Sequence, residues 1–464
     1  MNFSANPTFL IKTLGCKVNQ YEGQAMREGL IKNGLAEAEN EIADFYVINS
    51  CTVTHKADSK TRNLIRYFNK VNPEGKIVVA GCYAEFDADR KMLMKIPGVT
   101  HLIRNNEKAR IAEVLAINNG REAAGEKSGI TDFKDRDRAF VKIQDGCDHR
   151  CSYCKVRLVR GFSKSRRAEE ILKEVKCLIE KGFKEIVLTG TCLGAWGQIT
   201  TDSCQSPRST GFGRIMRKEA AGGLPGLIRA IARIEGRFRI RLSSIEPGYV
   251  TDELIRIFKD EPKLCKHLHI SLQSGDDKIL KHMNRPYATR KFMRLVTKIR
   301  RHVTDAAITT DILLGFPGED DRSFHRTERF IKAIAPSRMH VFSYSRREGT
   351  VAAKFKSHAR KEEINERANI LMGLSKRFQA DFAKRFINKM QEVLLESQRC
   401  RFTGFLTGYT DRYVRVLIDG PDTLKNRLVS IRSRSLYHSE PPALYGDNVK
   451  YFGHFQYESS LKCK

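Results

Sequence analysis

Three cysteines, Cys147, Cys151 and Cys154, follow the strand-like segment AFVKIQDG in a CxxxCxxC pattern. Soft thiolates select iron-sulfur clusters or zinc. A structural zinc site is closed by four ligands, and no fourth Cys or His stands at finger-like spacing here; His149 lies inside the loop, badly placed to close it. Three thiolates on a four-iron cluster instead leave one iron open, which a cluster needs if it is to bind and reduce a substrate or cofactor. Three more cysteines each end a strand-like segment: Cys16 in TLGC, Cys51 in INSC and Cys82 in VAGC. Taken singly, each reads as a buried core cysteine. At the carboxyl ends of parallel strands, however, residues far apart in sequence meet in one crevice. The convergence predicts a second three-thiolate cluster with its own open iron. Cys177, Cys204, Cys265, Cys400 and Cys463 show no partner pattern and read as non-ligands.

Those cysteines need elements to hold them. From Phe9 to about Ile103, short apolar runs (FLIKTLGC, ADFYVINSC, KIVVAGC) alternate with helix-like stretches (NQYEGQAMREGLIKNG, HKADSKTRNLIRYFNK). The alternation predicts an N-terminal open parallel α/β sheet over residues 1–117. Residues 118–137, polar and charge-rich, read as a linker. Across residues 138–390 the strand candidates AFVKIQ, EIVLTG, RIRLSSI, HLHISLQ, AITTDILLG and MHVFSYS suit a central incomplete β/α (TIM-like) barrel. Its carboxyl-end loops, including the one at Cys147, are where such barrels place their chemistry. A helical stretch from about Lys361 to Lys389 leads into residues 391–464. There EVLLESQ, RFTGFLTGY, YVRVLID and RLVSIRS predict a C-terminal small antiparallel β barrel. Gln198 to Gly223, rich in Gly, Ser, Arg and Thr, reads as a surface insertion.

Composition narrows the class. At 464 residues, with 41% hydrophobic and 30% charged, the chain is globular rather than disordered or fibrous. No run of about 18 apolar residues is present, and the start MNFSANPTFLIK lacks the regions of a signal peptide, so a cytoplasmic protein without membrane contact is expected. Lys plus Arg outnumber Asp plus Glu by 83 to 54, a formal charge of +29. Such an excess predicts a polyanionic partner, against the blander reading of a solubilising surface.

The loop at Cys147, with Tyr153 before its last cysteine, resembles that of radical S-adenosylmethionine enzymes. Further matches are LTG ending at Gly190, SSIEP from Ser243 to Pro247, SLQSG from Ser271 to Gly275, and GFPGE from Gly315 to Glu319. The resemblance implies that the open iron is chelated by S-adenosylmethionine, which an electron cleaves to a 5′-deoxyadenosyl radical. It implies an aromatic Tyr153 near the adenine and Gly190 near the methionine amino group. Glu246, Ser271, Gln273 and Asp311 are candidates for the cofactor or the chamber floor, each readable equally as a hydrogen-bonding residue of the barrel mouth. Along nearly the whole chain the arrangement resembles the methylthiotransferase family, with two 4Fe-4S clusters. TLGCKVNQYEG, NSCTVT and GCYAE are similar to the subgroup modifying N6-threonylcarbamoyladenosine beside the tRNA anticodon; Leu14, Lys17 and Val18 favour it over the isopentenyladenosine subgroup. The last region is similar to the TRAM domain, an RNA-binding β barrel. Membership of such a family implies a tRNA substrate, a reducing electron donor and two molecules of S-adenosylmethionine per product. One methylates sulfur at the N-terminal cluster, and the other yields the radical that takes the C2 hydrogen of adenine. A monomer is expected.

Departures from the family pattern are local. Lys155, Val156, Arg157 and Leu158 stand where an apolar residue and proline are usual, and Cys192 where asparagine is common. In the basic turn downstream, Arg160, Lys164, Arg166 and Arg167 are candidates to grip tRNA phosphates, with a solvated basic loop as the plain alternative. A ribosomal-protein aspartate is a rival substrate that the basic balance disfavours. A non-catalytic RNA-binding protein with structural zinc is the rival from another class.

Overall fold

The structure is a computed structural model describing residues 7–115, 129–198, 222–356, 359–437 and 439–450. Most of the expected linker, nearly all of the expected insertion, and Cys204 and Cys463 lie outside the described residues.

Five parallel strands open the chain: β1 (Thr8–Thr13), β2 (Ala36–Glu37), β3 (Phe45–Ser50), β4 (Lys76–Gly81) and β5 (Val99–Ile103), in the order β2-β1-β3-β4-β5. Every residue of β3 is buried, as expected for a central parallel strand covered on both faces. Helix α1 (Lys17–Lys32) follows β1, and α2 (His55–Val71) follows β3. The Thr54 hydroxyl accepts from the Ala57 amide at 3.2 Å and starts α2 shortly after Cys51. The short strands β2 and β5 carry too little pattern to be read from sequence.

The central region builds two four-stranded sheets. The first holds β6 (Ala139–Asp145), β7 (Lys164–Ser165), β8 (Glu185–Gly190) and β9 (Arg239–Leu242) in the order β7-β6-β8-β9. The second runs β10 (Ser244–Ile245), β11 (His267–Ile270), β12 (Ala307–Leu314), β13 (Arg338–Ser343). The expected strand RIRLSSI thus breaks at Ser243, where the chain stops pairing with β8 and begins pairing with β11. An isolated bridge from Ile240 to Leu264 joins the sheets at one side. Among the described residues β6 and β13 do not pair, so the barrel is open between them.

Alternation along these strands divides two environments. Val141, Ile143, Ile186, Leu188, Leu268 and Ile308 face outward into one apolar core beneath the helices. Most of their neighbours face inward and are polar, namely Lys142, Gln144, Glu185, Arg241, His267, His269, Thr309, Asp311 and His340, with Val187, Leu313 and Phe342 as apolar exceptions. A TIM barrel normally fills this space with Val, Ile and Leu. Here the inner face is largely polar, and it is called the chamber below.

The helix Lys361–Lys384 ends earlier than expected and leads into a closed barrel of β14 (Met390–Arg399), β15 (Leu406–Thr410), β16 (Arg415–Ile418), β17 (Leu428–Tyr437) and β18 (Ala443–Lys450). β16 pairs with β18 in parallel, whereas an antiparallel barrel is expected from the sequence. An odd number of strands cannot close a ring with every neighbour antiparallel, so one parallel pair is forced. This barrel docks under the amino ends of the central strands. There buried Glu185 meets Arg239 and Arg241 at 2.6 Å each and Arg138 at 3.2 Å. Arg239 and Arg241 also donate to backbone oxygens of Tyr409 at 2.9 Å, Thr410 at 3.1 Å and Asp411 at 2.9 Å. Among the described residues no helix is long and apolar enough to cross a membrane.

Candidate metal centres and reaction chamber

Cys16, Cys51 and Cys82 follow β1, β3 and β4, and the loops carrying them are laced together. The Asn19 amide donates to the Leu14 and Ser50 carbonyls at 2.7 and 2.8 Å, tying the first loop to the second. The Ser50 hydroxyl donates to the Ala80 carbonyl at 2.6 Å and accepts from the Tyr83 amide at 3.2 Å, tying the second to the third. Burial pushes the Cys51 thiol up to about 11, and the nearby Cys82 and Cys16 thiols act in the same direction. Gly15 has φ +97°, and a Cβ there would stand 2.9 Å from the Cys51 sulfur. A side chain at position 15 would collide with Cys51, and the left-handed backbone there favours glycine.

Cys147, Cys151 and Cys154 sit on the loop after β6. A contact with the Cys192 thiol lowers Cys147, burial raises Cys151 against the pull of Arg285, and burial pushes Cys154 up to about 12. A metal binding here would displace the protons of Cys151 and Cys154. Arg285 lies with Nη1 3.1 Å from the Cys151 sulfur, and its other terminal nitrogen pairs with Glu246. Nothing in the sequence singles out Arg285.

The geometry of each triad tests what it could hold. Among the described residues, the only set of three possible ligands with donor atoms all within 4.8 Å is His269, Asp311 and His340. Sulfurs sharing one tetrahedral zinc stand about 3.8 Å apart, given Zn–S bonds of about 2.3 Å. Neither cysteine triad is that tight. Six free thiols in two open sets of three fit iron-sulfur clusters, whose irons each take one cysteine thiolate.

The two triads border one junction. After Cys154 the chain docks on the N-terminal sheet: Lys155 lies over the Phe86 ring at 4.4 Å, and the Val159 carbonyl accepts from the Asn105 amide at 2.8 Å. Asn105 lies 3.7 Å from the Cys82 sulfur. Lys155, a departure from the family pattern, is therefore an interdomain contact. From the loop after β13, Arg347 donates to Thr52 and Asp58 at 2.7 Å each. Buried Glu22 meets Lys108 at 2.6 Å, Lys142 at 2.9 Å and Arg160 at 2.8 Å, joining α1 to the barrel.

The cofactor candidates ring the barrel mouth. The Tyr153 ring is edge-on to Phe316 at 6.3 Å. Gly190 ends β8, where a Cβ would meet Gln144 Oε1 at 2.9 Å. The Ser271 carbonyl accepts from the Tyr287 hydroxyl at 2.7 Å. Gln273 adopts φ +71° and donates its amide to the Asp311 carbonyl at 2.8 Å. The Asp311 side chain lies deeper, between His269 and His340.

The basic turn needs correction. Arg160 is buried and pairs with Glu22 and Asp145; Arg166 pairs with Glu174 at 2.7 Å and contacts the Tyr21 hydroxyl at 3.0 Å. Both are committed to internal carboxylates and are not free for phosphate. Lys164 and Arg167 remain exposed, although Arg167 bonds Glu169 at 2.6 Å.

Residues 141–331 match the family described as Radical SAM superfamily, and residues 8–103 match Uncharacterized protein family UPF0004. Over 416 residues the chain is 36% identical to a threonylcarbamoyladenosine tRNA methylthiotransferase of Thermotoga maritima, covering 88% of this chain and 90% of that one. It is also 32% identical over 423 residues to a tRNA-2-methylthio-N(6)-dimethylallyladenosine synthase of Thermodesulfovibrio yellowstonii, covering 88% and 92%. In fold it is similar to the radical S-adenosylmethionine methyltransferase TsrM of Kitasatospora setae. The TM-score is 0.51 at 12% identity, covering 83% of this chain and 80% of that one.

Proposed function

This chain belongs to the radical S-adenosylmethionine methylthiotransferase family, and we propose that the tRNA adenosine it modifies carries an N6-threonylcarbamoyl group. The observation that carries the choice of substrate is the polarity of the chamber. An N6-dimethylallyl arm is apolar, and seating it against polar side chains would cost their hydration without return. A threonylcarbamoyl arm brings a carboxylate, a hydroxyl and N–H groups, which that lining can satisfy.

Cys147, Cys151 and Cys154 would hold one 4Fe-4S cluster and Cys16, Cys51 and Cys82 the other. When bound, the clusters and S-adenosylmethionine supply a radical able to break an unactivated C–H bond and the methylthio group that replaces the hydrogen. The chain's own part is positioning and exclusion of water. Arg347, Glu22 and Lys155 fix the N-terminal sheet over the barrel mouth, so both triads border the adenine's position. Arg285 holds a positive charge beside Cys151 and orients Glu246 at the mouth. Tyr153, Gly190, Ser271 and Gln273 are proposed to contact S-adenosylmethionine, and exposed Lys164 to meet RNA phosphate.

Mass spectrometry of tRNA nucleosides from a strain lacking this gene tests the reading. Loss of the 2-methylthio derivative of threonylcarbamoyladenosine, restored by the wild-type gene, is expected. An unchanged profile, or loss only of the dimethylallyl derivative, refutes it.

A further inference from the structure

Strand β13 borders the open edge of the barrel, and its side chains alternate. Met339 and Val341 pack into the apolar core beneath the helices, so His340 and Phe342 face inward. The His340 ring bears this out, stacked on the His269 ring at 5.3 Å and 23°. Its Nδ1 lies 3.2 Å from an Asp311 oxygen, which fixes the ring in place. Phe342 stands edge-on to that fixed ring at 6.3 Å, yet its own ring is 51% exposed. A large apolar ring held against a rigid neighbour and left half in water forgoes the burial that would stabilise it. Its register partner on β12 is Leu313, which packs into the apolar cluster of Phe316 and Ala352 that Tyr153 also joins. Leu313 and Phe342 thus form one apolar rung at the carboxyl end of a largely polar lining.

The chain that leaves this rung touches the loops of both cysteine triads. The Ser345 hydroxyl accepts from the His55 amide at 3.2 Å, and Arg347 donates to the Thr52 hydroxyl, next to Cys51, at 2.7 Å. The Ala352 amide then donates to the Ser152 carbonyl, next to Cys151, at 2.7 Å. Between these points the Tyr344 ring stands edge-on to Phe316 at 5.6 Å, and Phe316 stands edge-on to Tyr153 at 6.3 Å. Contacts to both triads' loops therefore place the rung at their junction, where the reacting base has to come.

We propose that Leu313 and Phe342 seat the adenine of the substrate nucleotide, with the exposed face of Phe342 stacked on the base. An unpaired base presents a flat π-face, and aromatic side chains take that face whatever groups its edges carry. The position also suits the reaction. C6 and C2 lie on one six-membered ring with N1 between them, so a base whose N6 arm points into the polar lining leaves C2 free to face the junction. This rests on the reading that the substrate is a tRNA adenosine, and deepens it.

The test is fluorescence anisotropy of the reconstituted protein with labelled anticodon stem-loop RNAs. These carry threonylcarbamoyladenosine, plain adenosine or an abasic nucleotide at the target position. Wild-type protein should bind the plain adenosine loop about 5- to 150-fold tighter than the abasic loop, the scale of one base–aromatic stack. Phe342→Ala should bring that ratio near one while abasic binding and iron content stay as in wild type. Phe342→Trp, which keeps an aromatic face, should keep the ratio. A misfolded variant would lose the abasic loop as well, so it cannot imitate the pattern. A ratio near one in wild type, or one that survives Phe342→Ala, overturns the inference. If the ratio survives and Phe342→Ala instead loses S-adenosylmethionine in equilibrium dialysis, the ring serves the cofactor's adenine. If wild type prefers adenosine over the abasic loop but does not prefer threonylcarbamoyladenosine over adenosine, the seat stands and the choice of arm falls.

Discussion

Replacing Glu22 by Gln should unfasten the N-terminal sheet from the barrel. The carboxylate meets three cations, and their situations differ. Lys142 and Arg160 also reach Asp145, at 3.3 and 3.0 Å. Among the described residues Lys108 has only Glu22 and the Asn19 amide oxygen at 3.1 Å, and its side chain is 4% exposed. Glu22→Gln thus leaves one buried ammonium without any carboxylate, and removing one partner of a buried pair costs about 3–5 kcal/mol. The double variant Glu22→Gln with Lys108→Met should recover at least about 2 kcal/mol, since the stranded charge goes too. Sign and pH dependence come from the same contacts. Burial pushes the Glu22 carboxyl up, but Lys108, Lys142 and Arg160 together hold it well below its ordinary 4.5. Its stabilisation is therefore present above pH 4.5 and fades as pH falls toward the lowered value. The variant should lose stability at neutral pH and show a flatter acid limb. Urea unfolding followed by the fluorescence of Trp196, the single tryptophan, reports the barrel, and circular dichroism reports the whole chain. A Glu22→Gln change under about 1 kcal/mol, or no recovery with Lys108→Met, would refute the assignment of the junction to this network.

Cys16→Ala should lower iron in reconstituted protein from about eight to about four atoms per chain, leaving reductive cleavage of S-adenosylmethionine intact. Full iron, or zinc in its place, argues against two clusters. Gly15→Ala should produce the same iron loss with every cysteine retained, because the new Cβ falls 2.6 Å from that of Cys51. Retained iron would show that the loop yields. Glu185→Gln strands three arginines under the barrel and should cost about 3–5 kcal/mol. Limited proteolysis should then release the C-terminal β barrel; an unchanged digestion pattern counts against this anchor.

The positions of Cys16, Cys51 and Cys82 were legible because each follows a strand, and strand order decides which ends meet. The placement of Gly190, Glu246 and Gln273 at or just after strand ends was legible for the same reason. What escaped are pairs joined only by the fold. Arg347 and Asp58 lie far apart in sequence, and neither residue hints at the other. Arg285 looks like any surface arginine until it is found on Cys151. The basic turn shows the converse error. Arg160 and Arg166 advertise charge but not its destination, and internal carboxylates claimed both. The parallel closing pair β16/β18 was hidden because strand patterns carry no direction.

The placement of the two flanking domains has a consequence for how RNA arrives. The N-terminal sheet meets the barrel at the junction that both cysteine triads border, and the β barrel docks under the base. A nucleotide reaching that junction must leave its stack and swing out of the anticodon loop, at a cost of a few kcal/mol. The enzyme should therefore be a reader of bent, unpaired loops, and an adenosine locked in a continuous duplex should be invisible to it, whatever arm it carries.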